Sequence, residues 1–162
     1  MLVLMGGLVI LDVRAQAVVA PPISGAAGMS SRSFTLADLK AQFPQSKEGN
    51  FMIEVPEISF TAGDKEVQRV LSGQPVETTA QVSNADGKGL RVFRQLTQCC
   101  ASDARSFSIA VELAGSAPVL KALSWVKLVG TVSYKQENGK TVPLFVATEI
   151  TPIAQPEQPI LK

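Results

Sequence analysis

The 162-residue sequence contains no histidine. That removes the usual general base at neutral pH, the commonest metal ligand, and every Ser-His or Cys-His catalytic pair. An ordinary hydrolase is therefore a poor fit. Aromatic residues make up only 6% of the chain, with one Trp and one Tyr, so a row of base-stacking platforms is not available. Charge of one sign is also missing. Fifteen basic and 14 acidic residues leave a net charge of +1, too little to concentrate a polyanion. Long apolar runs are scarce as well. The longest, MLVLMGGLVIL at residues 1–11, falls short of the roughly 20 residues a membrane-spanning helix needs.

With 46% hydrophobic and 18% charged residues, the chain suits one ordinary globular domain plus an N-terminal segment. The apolar start, followed by Ala15-Gln16-Ala17, reads as a signal-peptide core with cleavage before Val18, or as the tail of a longer membrane anchor. The expected location is the cell envelope, anchored through the N-terminus or exported. A buried N-terminal strand is the competing reading, and Gly6-Gly7 and the Pro-containing residues that follow argue against it. Residues 1–17 are thus assigned to targeting. Residues 18–33, rich in Ala, Gly, Pro and Ser, read as a linker.

Residues 34–73 read as a helix-strand-helix extension packed on the main domain. Leu36, Leu39 and Phe43 recur at helical spacing and Pro44 ends the run. Phe51 to Val55 reads as a strand stopped by Pro56, and Asp64 caps a helix over 65–71 that ends before Gly73. From 74 to 154 the pattern changes to alternating strands starting near Val76, Leu90, Phe107, Trp125 and Val142, with Gly130 inside the fourth and Asn138-Gly139 before the fifth. Five strands in this order suit a small OB-type Greek-key barrel. The fold class is mainly β with a small α/β extension, and residues 155–162, with Pro156 and Pro159, form an extended tail.

The distinctive chemistry lies between the second and third strands. Both cysteines, Cys99 and Cys100, stand side by side in a polar turn, with Asp103 three residues beyond. Two thiols in an exported protein invite a strained vicinal disulfide. Alternatively Cys99, Cys100 and Asp103 bind a soft or borderline divalent metal, although three ligands do not close a structural zinc site and no histidine completes it. The plain reading is packing: two small residues closing a turn that Asp103 caps. Arg94 sits on the apolar face of its strand, where a cation needs a partner, and Asp103 is the nearest acid in sequence. Trp125 and Phe93 could offer stacking surfaces, but with 6% aromatic residues and a net charge of +1 core or edge packing is the better reading. Lys121, Lys127, Lys135 and Lys140 read as a solvated face. Glu54, Glu57 and Asp64 share no common face around Pro56 and read as solvated carboxylates.

The motif R-x4-C-C-x2-D-A, at Arg94, Cys99, Cys100, Asp103 and Ala104, followed by W-V-K-x2-G at Trp125, Val126, Lys127 and Gly130, resembles the YcgQ-like family of bacterial membrane-associated proteins. The resemblance runs from about Gly73 to Pro159. It departs at both ends: the family usually carries two N-terminal membrane spans and a tyrosine-containing terminus, where this chain has one apolar run and ends Pro159-Ile160-Leu161-Lys162. The resemblance implies an OB-like domain typically encoded beside a predicted permease. Together these readings point to a non-enzymatic, envelope-associated binding module, accessory to a permease, using Arg94, Cys99, Cys100, Asp103 and Trp125 to meet a ligand, metal or partner. The alternative is an OB domain that binds single-stranded nucleic acid, against which the near-zero net charge argues. A thiol-redox protein ranks last, because the cysteines are adjacent rather than C-x-x-C.

Overall fold

The structure, a computed structural model, describes residues 33–84, 89–99, 103–115 and 118–162. The expected signal or anchor at 1–17, nearly all of the linker, the turn at Ala85-Asp86-Gly87 and Cys100 lie outside them. Among the described residues no helix is long and apolar enough to cross a membrane.

Helix α1, Leu36–Gln42, starts where the sequence places it. Thr35 and Asp38 cap it reciprocally, with the Thr35 N–H donating to Asp38 Oδ2 at 2.9 Å and the Asp38 N–H to Thr35 Oγ1 at 3.3 Å. Strand β1 is only Phe51–Met52. The chain does not run on as a strand to Val55. It turns into α2, Val55–Thr61, a helix that the sequence reading took for strand and stop. Pro56 sits in the first turn, where its missing N–H is no loss, and Glu57 Oε2 accepts from the Glu54 N–H at 2.8 Å to close the end. Helix α3, Lys65–Leu71, follows its Asp64 cap, which accepts from Glu66 N and Val67 N at 2.9 and 3.2 Å.

Six strands come next: β2 (Val76–Asn84), β3 (Leu90–Leu96), β4 (Arg105–Leu113), β5 (Trp125–Glu137), β6 (Lys140–Ile153) and β7 (Ile160–Leu161). Their order is β1-β2-β5-β6-β4-β3-β7, and β2 also pairs with β3, so β2, β3, β4, β6 and β5 close into a ring. Within it β4 and β6 run parallel, Ala110 opposite Leu144, while the other pairings are antiparallel. A five-stranded closed ring with this Greek-key order is the OB fold. Glu137 pairs with Lys140, so Asn138 and Gly139, at φ 51° and 75°, form a two-residue type I′ turn between β5 and β6. Gly130 marks a bulge. A Cβ there would drive into the Val146 carbonyl oxygen and lie 2.8 Å from Ala147 Cα, so β6 could not pass this close to any other residue.

The inner faces of the five strands supply Val76, Ala80, Val82, Val92, Ile109, Val126, Leu128, Val132 and Phe145, all essentially inaccessible. Val55 and Ile58 of α2 join this core, and α2 lies against β2, β3, β4 and β6. Phe60 meets Phe107 edge-on at 5.0 Å, and Thr61 Oγ1 lies 2.6 Å from the Tyr134 hydroxyl. The C-terminal residues are not a loose tail. β7 pairs in parallel with the edge of β3, Gln95 with Ile160 and Leu96 with Leu161.

Candidate functional site

On β3 the two-residue period sends Val92 and Arg94 to the same inner face, and Arg94 is only 3% exposed. A guanidinium keeps its charge in such a place only with partners around it. Arg94 NH2 donates to the Gln158 carbonyl at 2.9 Å, Nε lies 3.5 Å from Glu54 Oε2, and the guanidinium carbon sits 4.9 Å from the centre of the Trp125 ring. The counter-ion is therefore Glu54, at the N-terminus of α2, and not Asp103. Burial lowers the Arg94 pKa and raises that of Glu54. In each case the opposite charge of the pair works against the shift without cancelling it.

This places two of the five sequence-nominated residues inside the barrel. Trp125, at the start of β5, is 7% exposed and serves as the surface against which Arg94 packs. Neither side chain is available to a molecule arriving from solvent. Their geometry holds four separate parts of the chain together: the end of β3, the start of α2, the start of β5 and the segment leading into β7.

Cys99 and Asp103 are placed differently. Asp103 Oδ1 accepts from the Gln98 N–H at 3.2 Å, and Oδ2 accepts from the Cys99 N–H and from Cys99 Sγ, both at 3.0 Å. One carboxylate thus ties Asp103 to Gln98 and Cys99, the kind of short-range backbone bonding for which Asp is suited. The Cys99 side chain is exposed. Just before the turn, the Thr97 N–H and Oγ1 both donate to the Leu161 carbonyl, at 2.9 and 3.2 Å, so β7 pins the base of the loop. Among the described residues no three His, Cys, Asp or Glu side chains converge on a possible metal position. A metal site built on Cys99 and Asp103 would need Cys100, which lies outside the described residues.

Glu54 was missed in the sequence because it lies 40 positions from Arg94 and reads as a solvated acid beside a proline. The available signal was the E-x-P-E order at 54–57, a helix start with Pro in the first turn and an acid three residues after the cap. On the outer face, Arg91 NH2 donates to Ser108 Oγ at 3.3 Å, beside a cleft of about 240 Å³ that Lys135 also lines. β3 and β4 give this cleft one wall, and α2 and the β5–β6 hairpin give it the others. Lys135 is held there by Glu137 at 2.7 Å.

Among solved structures, the chain is similar to the telomere capping protein Ten1 from Saccharomyces pombe, at 14% identity and a TM-score of 0.37, over 62% of this chain and 78% of that one. It is also similar to the S. pombe Stn1-Ten1 complex, at 13% identity and a TM-score of 0.38, over 72% of this chain and 88% of that one. No curated protein matches the sequence. The model of the DUF1980 C-terminal domain matches residues 69–161, which take in the whole barrel, the Cys99 turn and β7. Covering more than half of its length, that match means that the chain belongs to the DUF1980 family, which is the YcgQ-like family.

Proposed function

We propose that the chain is a non-enzymatic binding module of the cell envelope, an OB barrel that serves a membrane permease and meets its partner through the loop from Cys99 to Asp103. The observation that carries this reading is the exposed Cys99 thiol, hydrogen-bonded to Asp103 at the end of a strand whose base is fixed on one side by the Arg94 cluster and on the other by β7. Thr97 before the loop is bonded to β7 and Asp103 after it to Gln98 and Cys99, and fixing both flanks in this way favours recognition. The apolar N-terminus supports envelope placement, and the family resemblance supports the permease. Lack of histidine supports a binding role over catalysis.

The contact can be protein-to-protein or shared through a soft or borderline metal, with Cys99, Cys100 and Asp103 as donors. Thiol labelling of the folded full chain separates these readings. Labelling of Cys99 that zinc or copper(I) suppresses supports a metal-mediated contact, whereas labelling that only permease-containing membranes suppress supports a direct one. If a single-stranded oligonucleotide binds with a steep salt dependence and neither metal nor membranes protect Cys99, the nucleic-acid reading replaces this one.

A further inference from the structure

The cleft beside Arg91 exists because β4 and β6 part company. They pair only from Ala110 opposite Leu144 onward, and Pro143, just before that point on β6, offers no backbone N–H. α2 lies against both strands, with Ser59 and Ala62 in the lining, and about 240 Å³ stays open.

Its acceptors are already engaged and its donors are not. In the last turn of α2 the Ser59 carbonyl accepts from the Ala62 N–H at 3.3 Å, the Phe60 carbonyl from the Gly63 N–H at 3.2 Å, and the Thr61 and Ala62 carbonyls from Gln68 Nε2 at 3.1 and 2.9 Å. Glu137, the acid among the described lining residues, is held by Lys135. Arg91 gives one N–H to Ser108 Oγ, a neutral acceptor, and among the described residues no carboxylate lies within ion-pair distance of it. The Ser108 oxygen accepts that bond, which leaves its O–H to donate. Arg91 and Ser108 are exposed on the outward faces of their strands, next to the buried Val92 and Ile109.

The independent observation is Phe60. It stands between Ser59 and Ala62 on α2, meets Phe107 edge-on, and is still 59% exposed, the one aromatic ring among the exposed large apolar side chains of the described residues. An aromatic ring in water beside a cationic, donor-lined cleft suits the boundary of a bilayer, where rings sit at headgroup level and Arg and Lys meet anionic lipid.

We propose that this cleft binds the phosphate of an anionic lipid headgroup, with Phe60 resting at the acyl boundary. The planar fork of Arg91 takes phosphate oxygens in pairs, and Ser108 and Lys135 reach the others. The volume is below the roughly 300–1,000 Å³ of pockets for drug-sized molecules, which fits a headgroup and not a whole lipid. A single-stranded nucleic acid shares the phosphate chemistry but calls for a row of rings and a track of cations. Here there is one exposed ring, and Glu137 offsets one of the two cations in the lining. The site is separate from the Cys99 loop and needs no permease.

The test titrates the 15N-labelled full chain with dihexanoyl-phosphatidylglycerol below its micelle concentration, with dihexanoyl-phosphatidylcholine, with inorganic phosphate and with decathymidylate. Saturable shifts of the Ala62, Arg91, Ser108 and Ala110 amides are expected with phosphatidylglycerol, at an affinity about ten-fold above that for phosphatidylcholine or inorganic phosphate. Arg91→Gln should lower that affinity about ten-fold, and Phe60→Ser should bring it down to the level of inorganic phosphate. Both side chains are exposed, so neither substitution opens the core, and amides remote from the cleft report the intact fold. Absence of saturable shifts, full affinity in the Arg91→Gln protein, or phosphatidylcholine or inorganic phosphate binding as tightly as phosphatidylglycerol would overturn the proposal. Tighter binding of decathymidylate would overturn it in favour of a nucleic acid.

Discussion

Replacing Arg94 with Met is the most informative perturbation of the barrel, because its cost depends on what is left behind. The substitution removes a charge-assisted hydrogen bond to Gln158, an interaction class worth about 1.5–3 kcal/mol, and the cation–π contact with Trp125. It also strands Glu54 next to the core. A loss of about 3 kcal/mol is expected for the single variant. Two unit charges 3.5 Å apart attract by roughly 5 kcal/mol at an effective dielectric of about 20. The Glu54 side chain is 37% exposed, so solvent screening reduces the usable coupling to about 1–2 kcal/mol. Glu54→Gln alone should be close to neutral, since it gives up that attraction but also relieves the burial that raises the Glu54 pKa. The double variant should therefore be more stable than Arg94→Met by about 1–2 kcal/mol. Urea unfolding of the full chain, followed by circular dichroism with a common slope, gives all four corners of the cycle. The same cycle with Asp103→Asn should show no coupling to Arg94. Additivity within about 0.5 kcal/mol for Arg94 and Glu54, or coupling to Asp103 instead, would refute the pairing.

The pH dependence of the same carboxylate follows from its direction of shift. Because the folded-state pKa of Glu54 is raised, its contribution is complete below the ordinary value of 4.5 and is lost as pH rises through the folded value. Wild type should thus lose stability relative to Glu54→Gln between acid and neutral pH, as measured by unfolding at fixed urea; an opposite slope contradicts the burial argument. Gly130→Ala should cost about 2–4 kcal/mol, since the new methyl group meets backbone on β6 rather than a movable side chain, and an unchanged melting temperature would rule out the close approach. Asp103→Ala should speed thiol labelling of Cys99 and cost about 1 kcal/mol through the lost bonds to Gln98 and Cys99; unaltered labelling would show that the carboxylate does not order the turn.

The barrel was legible because its strands alternate, Gly130 marks a bend or bulge and Asn138-Gly139 marks a turn, although the tight two-residue form of that turn emerged only from the pairing of Glu137 with Lys140. Arg94 was legible as a problem, a cation on an apolar face, but not its solution. Sequence distance is a weak guide to which acid comes near, and the helix carrying Glu54 was hidden because Phe51-Met52-Ile53 looks like a strand and Pro56 looks like a stop. In the first turn of a helix a proline is harmless, so the same residue reads either way. β7 was invisible for another reason: the pairing of Ile160 and Leu161 with β3 is fixed by the barrel edge, not by two residues of pattern. Trp125 was nominated as a binding surface because aromatic type alone does not reveal burial. Cys99 and Asp103 were legible together, since a carboxylate a few residues after a turn's start commonly accepts its backbone N–H groups.

The central claim is that the Cys99 loop is the contact surface of an envelope binding module. Photo-cross-linking from Cys99, in a Cys100→Ser background and in membranes that contain the proposed permease partner, measures this contact. A covalent adduct with the permease is expected, one that disappears in Cys99→Ser and weakens in Asp103→Ala. An adduct of equal yield from a cysteine placed at Lys135, on β5 beside the Arg91 cleft, or none from Cys99 while the permease is bound, would refute it.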